Sequence, residues 1–122
     1  MIKWFNVKDR NGVASLNINS IVLNTTAMYP FDSAYRVQVG VDGKRIIVKP
    51  LSKDVVDSGI LDECSLLKME FHKSFSRISS TQLMNQIANE LSIKFDKKPI
   101  RFVSSWDSVN NYLIIDTTKE AE

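Results

Sequence analysis

Residues 35–50, YRVQVGVDGKRIIVKP, form the most informative part of the chain. Val37, Val39 and Val41 alternate with polar or small residues, which is the period of a half-buried strand. Asp42-Gly43 is a preferred two-residue hairpin turn. Ile46 and Val48 follow on one face of a returning segment. The stretch therefore predicts a β-hairpin that ends at Pro50.

The N-terminal part predicts a second hairpin and a short helix. Apolar runs at 2–7 and 13–18 flank Asn11-Gly12, whose residues tolerate the positive φ of a tight turn. The indole of Trp4 is large enough that burial in a core is expected. A short helix is expected over about 25–29, because Asn24 can cap it and Pro30 disfavours the α conformation of the residue before it.

The second half predicts a strand, a longer helix and a final hairpin. The strand covers 66–71, where apolar and polar residues alternate. Ser79 and Gln82 fit a capping box. After them come four apolar residues at the spacing of one helix face: Met84, Ile87, Ala88 and Leu91. Two strands, 100–106 and 112–116, follow the helix and are separated by a polar loop.

These elements predict an α+β fold class, made mainly of antiparallel β hairpins, with one long amphipathic helix (about 80–92) and one short helix (about 25–29). We expect a β-rich hairpin subdomain over 1–52 and an acidic linker over 53–64. A strand-helix-hairpin subdomain is expected over 65–118, followed by a frayed tail at 119–122.

Composition restricts the class of protein. The chain has 122 residues, a formal net charge of +2 and one cysteine, which excludes an internal disulfide framework. No apolar run approaches the ~20 residues that span a bilayer. The N-terminus lacks a basic-then-apolar signal pattern. We therefore expect a cytoplasmic protein with no membrane partner.

Residues that could carry chemistry are few. Cys64 and His72 are the only cysteine and histidine, whereas a zinc site uses about four ligands. The linker carboxylates lack the spacing of an EF-hand, and solvation is the expected role of Asp54, Asp57, Asp62 and Glu63. No glycine-rich phosphate cradle is present. The sequence predicts no enzyme, no metal site and no cofactor.

The stretch from Arg36 to Pro50 resembles the AbrB/SpoVT family of transition-state regulators, with the similarity extending over about residues 16–51. The resemblance implies a homodimer that exchanges hairpins and binds DNA as a transcription regulator. The part of the chain that resembles the family is its scaffold hairpin. The short helix (residues 25–28) carries none of the basic residues that the family places there.

Two basic groups are the candidate phosphate contacts. The first follows the central hairpin: Lys44, Arg45, Lys49 and Lys53. The second follows the longer helix: Lys94, Lys97, Lys98 and Arg101. Each phosphate that a cation neutralises makes nucleic-acid binding more sensitive to salt. The alternative is a protein-interaction or structural module without nucleic acid, which the uncharged short helix and the amide-rich side of the longer helix favour.

Overall fold

The computed structural model describes residues 1–5 and 12–121, which fold into one antiparallel sheet of eight strands. The strands are β1 (Gly12–Leu16), β2 (Ser20–Asn24), β3 (Arg36–Asp42), β4 (Arg45–Leu51), β5 (Met69–Phe71), β6 (Phe75–Ser79), β7 (Ile100–Asp107) and β8 (Tyr112–Glu120). The helices are α1 (Thr25–Met28), α2 (Lys53–Asp57) and α3 (Thr81–Leu91), and single 3-10 turns lie at Tyr29–Phe31 and Glu63–Ser65.

The sheet curls until its two edges meet. The strand order is β3-β4-β8-β7-β1-β2-β6-β5, so β3 and β5 are the edges. Val37 of β3 and Leu67, two residues before β5, form an isolated antiparallel bridge. Each donates its N–H to the carbonyl of the other at 2.8 Å. This bridge makes the sheet a nearly closed barrel.

The strand pairings have an internal two-fold relation. Replacing β1, β2, β3 and β4 by β5, β6, β7 and β8 converts the β1–β2 pair into β5–β6, and β3–β4 into β7–β8. It also converts the bridge between β3 and Leu67 into the β1–β7 pair. The β2–β6 and β4–β8 pairs map onto themselves. The barrel therefore consists of two similar four-stranded halves, joined by residues 52–66.

Each half sends one helix across an end of the barrel. α1 follows β2 and α3 follows β6, and these two strands are antiparallel neighbours. The helices therefore lie at opposite ends. Asn24 caps α1 and also holds β1, because its Oδ1 accepts hydrogen bonds from the amides of Val13 and Ala27, both at 3.0 Å. Ser80 caps α3 by accepting from the Leu83 amide at 3.1 Å.

The barrel interior is apolar. Alternate strand residues point inward, and fully buried examples are Leu16, Ile21, Leu23, Val37, Ile46, Val48, Ile78 and Ile115. Burying a side chain of this size contributes about 1.5–3 kcal/mol. Phe31 closes the α1 end and meets Trp106 edge to face, with ring centroids 5.8 Å apart. Met84 and Ile87 of α3 are buried at the other end.

The predicted fold class is wrong. An eight-stranded near-barrel replaces the expected α+β arrangement, and there is no long amphipathic helix among the described residues, since α3 has 11 residues and α1 has four. The apolar spacing at 84–91 arises because a three-turn helix covers a barrel end. No described helix combines the length and the hydropathy that a membrane crossing requires.

The predicted N-terminal hairpin differs from the structure. Residues 2–5 lie in no strand, and residues 6–11 lie outside the described part of the chain. Gly12 belongs to β1, where a Cβ would approach Ser104 Oγ to 2.6 Å, so close packing against β7 accounts for this glycine. Trp4 is 83% exposed and is not a core residue. Trp106 contacts the core instead.

The central hairpin is confirmed, with its turn shifted by one residue. Asp42 pairs with Arg45, so Gly43 and Lys44 form the two-residue turn. Gly43 has φ of 62° and Lys44 is not among the described residues with positive φ. Positive φ at the first turn residue alone is typical of a type II′ turn, which places glycine there. Ile46 and Val48 face the core as predicted.

Candidate functional site

The edge of β3 is open beyond the Val37–Leu67 bridge. Amide and carbonyl groups of alternate residues point to the same side of a strand. Since Val37 directs its groups away from β4, Val39 and Val41 direct theirs the same way. Within residues 1–5 and 12–121, no strand pairs with that side of Val39 and Val41. Two backbone donors and two acceptors are therefore available at one place.

A groove runs between this edge and α3. Its first section, about 130 Å³, is lined on one side by Val39, Gly40 and Val41. On the other side it is lined by α3 residues: Leu83, Gln86, Ile87 and Glu90. A second section of about 500 Å³ shares part of this lining and extends along the linker past Asp62, Cys64 and Ser65. We call both sections together the β3–α3 groove.

The groove walls are fixed by interactions with the core. Ile87 is buried, and it anchors α3 beside the groove while Gln86 and Glu90 remain exposed. Gln38 of β3 donates from Nε2 to Ser65 Oγ at 3.1 Å, which ties the linker to the edge strand. Apolar side chains line the floor, and Val41 is 37% exposed. The groove therefore combines unpaired backbone groups with apolar side chains.

The charged side chains that line the groove are acidic, whereas Lys44 and Arg45 follow Asp42 directly at the same end of the barrel. Glu90 and Asp62 contribute carboxylates to its two sections, and neither section is lined by lysine or arginine. Asp42 ends β3 beside the first section and is exposed. A cationic segment is therefore favoured over an anionic one, and salt should weaken its binding.

Cys64 and His72 have different surroundings. The Cys64 amide donates to Asp62 Oδ1 at 3.0 Å, and the residue lines the second groove section. His72 lies in the β5–β6 turn, where its ring stacks on Phe75 with centroids 4.4 Å apart. Its Nε2 is 3.7 Å from a Glu70 carboxylate oxygen. No three acidic, histidine or cysteine side chains are grouped to hold a metal ion in the described residues.

The structure brings most of the predicted cations to the barrel end that α3 covers. The Lys44 carbonyl accepts from the Thr117 amide at 3.2 Å, and the Arg101 carbonyl accepts from the Ala121 amide at 2.8 Å. Both lie beside the last residues of β8. Lys94, Lys97 and Lys98 lie in the connection from α3 to β7. We call the set the cationic end: Lys44, Arg45, Lys94, Lys97, Lys98, Arg101 and Lys119.

Two predicted cations lie apart from this set. Lys49 is exposed in the second half of β4. Lys53 begins α2, and its Nζ is 3.4 Å from Asp57. Sequence reasoning also misses Lys119, which is expected in the tail but belongs to β8. Hydrogen bonds from Thr118 lower the pKa of the Asp116 carboxyl most, and the charges of Lys119 and Arg45 lower it further.

A polar hollow of about 530 Å³ adjoins the same end. Arg77 of β6, Asn19 of the β1–β2 loop and Thr81 at the start of α3 contribute to its lining. The Arg77 guanidinium also lies over the Phe75 ring, 5.4 Å from its centroid. This residue was missed because β6 was not predicted.

Comparison with known proteins gives no assignment, since no family model, no curated protein and no solved structure matches the chain.

Proposed function

We propose that this protein is a protein-interaction module in which the β3–α3 groove binds an extended peptide segment. The open edge at Val39 and Val41 is the observation that carries the proposal. In β-strand addition, main-chain hydrogen bonds supply affinity and flanking pockets select alternate side chains. Both parts are present here, because the unpaired edge lies beside the apolar side chains of Leu83 and Ile87.

The groove chemistry defines the segment. An added strand presents alternate residues to opposite faces. One set faces the apolar floor, and the other lies beside the outward residues of β3, which include Gly40 and the carboxylate of Asp42. The preferred ligand is therefore an extended segment with apolar residues at every second position and lysine or arginine between them.

A labelled hexapeptide in which valine and lysine alternate tests this function. We expect fluorescence anisotropy to show saturable binding to the full chain. Val41→Pro removes one outward amide and should weaken binding by about tenfold, the equivalent of ~1.4 kcal/mol. Val109→Asp, in the distant β7–β8 turn, is the matched control. Equal affinity for Val41→Pro and the control would contradict the proposal.

A second candidate is nucleic-acid binding through the cationic end, in an AbrB-like regulatory role. The observation in its favour is that six of the eight predicted cations come together there. The hairpin that carries the AbrB resemblance pairs with β8 of its own chain. The hairpin-exchanged homodimer stays a prediction.

Charge reversal separates this candidate from the first. Labelled double-stranded DNA at low salt should bind the full chain, and Lys97→Glu with Arg101→Glu should weaken that binding. Lys53→Glu, at the opposite barrel end, is the control. Each phosphate that is no longer neutralised should reduce the slope of log affinity against log salt by about 0.9. Equal weakening in the Lys53 variant would reject the cationic end as the interface.

A further inference from the structure

Residues 1–5 form an apolar segment that is exposed in the described part of the chain. Ile2 is 70% exposed, and Trp4 and Phe5 are each 83% exposed. Isolated exposed apolar residues are common in proteins, whereas a contiguous patch marks an interaction site. Here three large exposed apolar side chains lie within four sequence positions, which is more than isolated exposure. Lys3 lies between them.

β1, the first strand after this segment, and the groove lie on opposite sides of the barrel. The segment leads into β1, and β1 is four strands from β3 in either direction around the ring of eight. A second copy can bring the two features together.

The segment has the chemistry that the groove selects. When it is extended, Ile2 and Trp4 point to one face and Lys3 and Phe5 to the other. As a strand beside β3, it places Ile2 and Trp4 on the apolar floor. Lys3 then lies on the outer face, where β3 carries Asp42.

Gly40 is also on the outer face of β3, and it leaves room for the Phe5 ring, because nothing lies within 4 Å of the position of a Cβ there. A cation on the segment therefore meets a carboxylate, and its second aromatic ring meets open space.

We propose that segment 1–5 of one copy adds as a strand to the open β3 edge of a second copy. This inference rests on the proposed function, because it names the occupant of the same groove. Reciprocal insertion gives a closed two-fold dimer in which each copy donates a segment and accepts one. The exchanged element is the leading segment, and the central hairpin keeps its pairing with β8.

Trp4 fluorescence with sedimentation provides the test. The chain has two tryptophans, so Trp106→Phe leaves Trp4 as the sole indole reporter. As protein concentration rises, we expect a blue shift of Trp4 emission that follows the change from monomer to dimer mass. Circular dichroism establishes that each variant retains the fold. A monomer mass with water-exposed Trp4 emission at all concentrations would overturn the inference.

Mixing two defective chains tests the exchange itself. Trp4→Glu damages the segment and Val41→Pro damages the edge, and each should weaken dimerisation at least about tenfold. An equimolar mixture contains one intact segment and one intact edge, so it should form a heterodimer with one contact. Val109→Asp should dimerise as the parent does. A mixture no more associated than its components would contradict the exchange.

Exchanging the charges of Lys3 and Asp42 provides variants that preserve the barrel, because both of these side chains are exposed. Lys3→Glu and Asp42→Lys should each weaken the dimer at low salt, and the double variant should recover part of the loss. No recovery would place Lys3 away from Asp42 and overturn the stated arrangement.

The outcomes separate this inference from the proposed function. A blue-shifted Trp4 in a monomer means that the segment docks on its own chain, and a stable monomer with exposed Trp4 means that it docks nowhere. Either result overturns the second copy as occupant. If the valine-lysine hexapeptide still binds with sensitivity to Val41→Pro, the peptide-binding function stands. If it does not, both proposals fall.

Discussion

Val37 and Leu67 exchange two backbone hydrogen bonds of 2.8 Å, and this single bridge joins the two edges of the sheet. Every other junction between neighbouring strands is a ladder of at least three residue pairs. The barrel is therefore closed at one point. Because only Val37 of β3 takes part in this bridge, the backbone of Val39 and Val41 stays unpaired. The closing bridge and the open edge of the groove therefore lie on the same strand.

Proline substitution should separate closure from the open edge. Leu67→Pro removes the donor to Val37 and leaves the carbonyl of that fully buried valine without its hydrogen bond. We expect the free energy of unfolding in urea to fall by about 1–3 kcal/mol. Val41→Pro removes an outward amide and should cost less than about 1 kcal/mol. Equal losses of unfolding free energy in the two variants would mean that the Val37–Leu67 bridge contributes no more to stability than an unpaired edge position.

The type II′ turn predicts opposite effects at two glycines of the same hairpin. Gly43→Ala forces a Cβ into φ of 62° and should destabilise the protein by about 1–2 kcal/mol. Gly40→Ala has open space around the added Cβ and ordinary φ, so stability should stay equal or rise by up to about 1 kcal/mol. Thermal unfolding monitored by circular dichroism measures both. A Gly43→Ala variant as stable as the parent would refute the assigned turn.

Asn24 should be the more costly of two helix caps. Its Oδ1 accepts from the amides of both Val13 and Ala27, so Asn24→Ala removes a link between β1 and α1 as well as the cap. A loss of about 1–2 kcal/mol is expected from urea denaturation. Ser52→Ala removes only the exposed cap of α2 and should cost less. The reverse order would show that Asn24 does not tie the two elements together.

The Asp107 carboxyl should make the folding stability of the protein sensitive to acid. The pKa of its carboxyl is lowered, first by the Asn110 side chain and then by backbone amides of Asn110 and Val109. A lowered pKa means that the stabilisation is present above the unfolded-state pKa and is lost as pH falls through the folded-state pKa. Asn110→Ala should raise the Asp107 pKa in an NMR titration. An unchanged pKa would exclude that side chain as the main cause.

The hairpin 36–50 could be predicted because its information is local. Alternating valines and a glycine turn lie within 15 residues, and the structure contains that hairpin, although Pro50 does not end it because β4 continues to Leu51. A capping pattern and an apolar spacing also predicted a helix here, but it is a short one of 11 residues at 81–91, capped by Ser80 rather than Ser79. What could not be predicted was its context, because the spacing of one helix face is the same whether it covers a barrel end or a flat sheet.

β6 was missed because one of its inward residues is polar. Ser76 and Ile78 face the interior and are fully buried, but serine gives no hydrophobic period in a segment of five residues. Without β6 the predicted elements could not form a ring. The open edge was equally beyond the sequence, since it depends on where Leu67 meets Val37, 30 residues away along the chain.

The predicted cations are exposed, and their grouping depends on strand order. Lys44 and Arg101 are distant in sequence and become neighbours of the same strand only because β8 lies between β4 and β7. Arg77 and Lys119 joined that end for the same reason. Periodicity and turn chemistry therefore could not predict this grouping, because it depends on which strands pair across long sequence separations.

Amide hydrogen exchange at Val39 and Val41 tests the central claim most directly. Both amides point to the open edge, so they should exchange quickly in dilute protein, whereas the Val37 amide is protected by its bond to Leu67. When the valine-lysine hexapeptide is added, or when the protein is concentrated, the account predicts protection at Val39 and Val41 together. Binding or dimerisation that leaves both amides in fast exchange would contradict it.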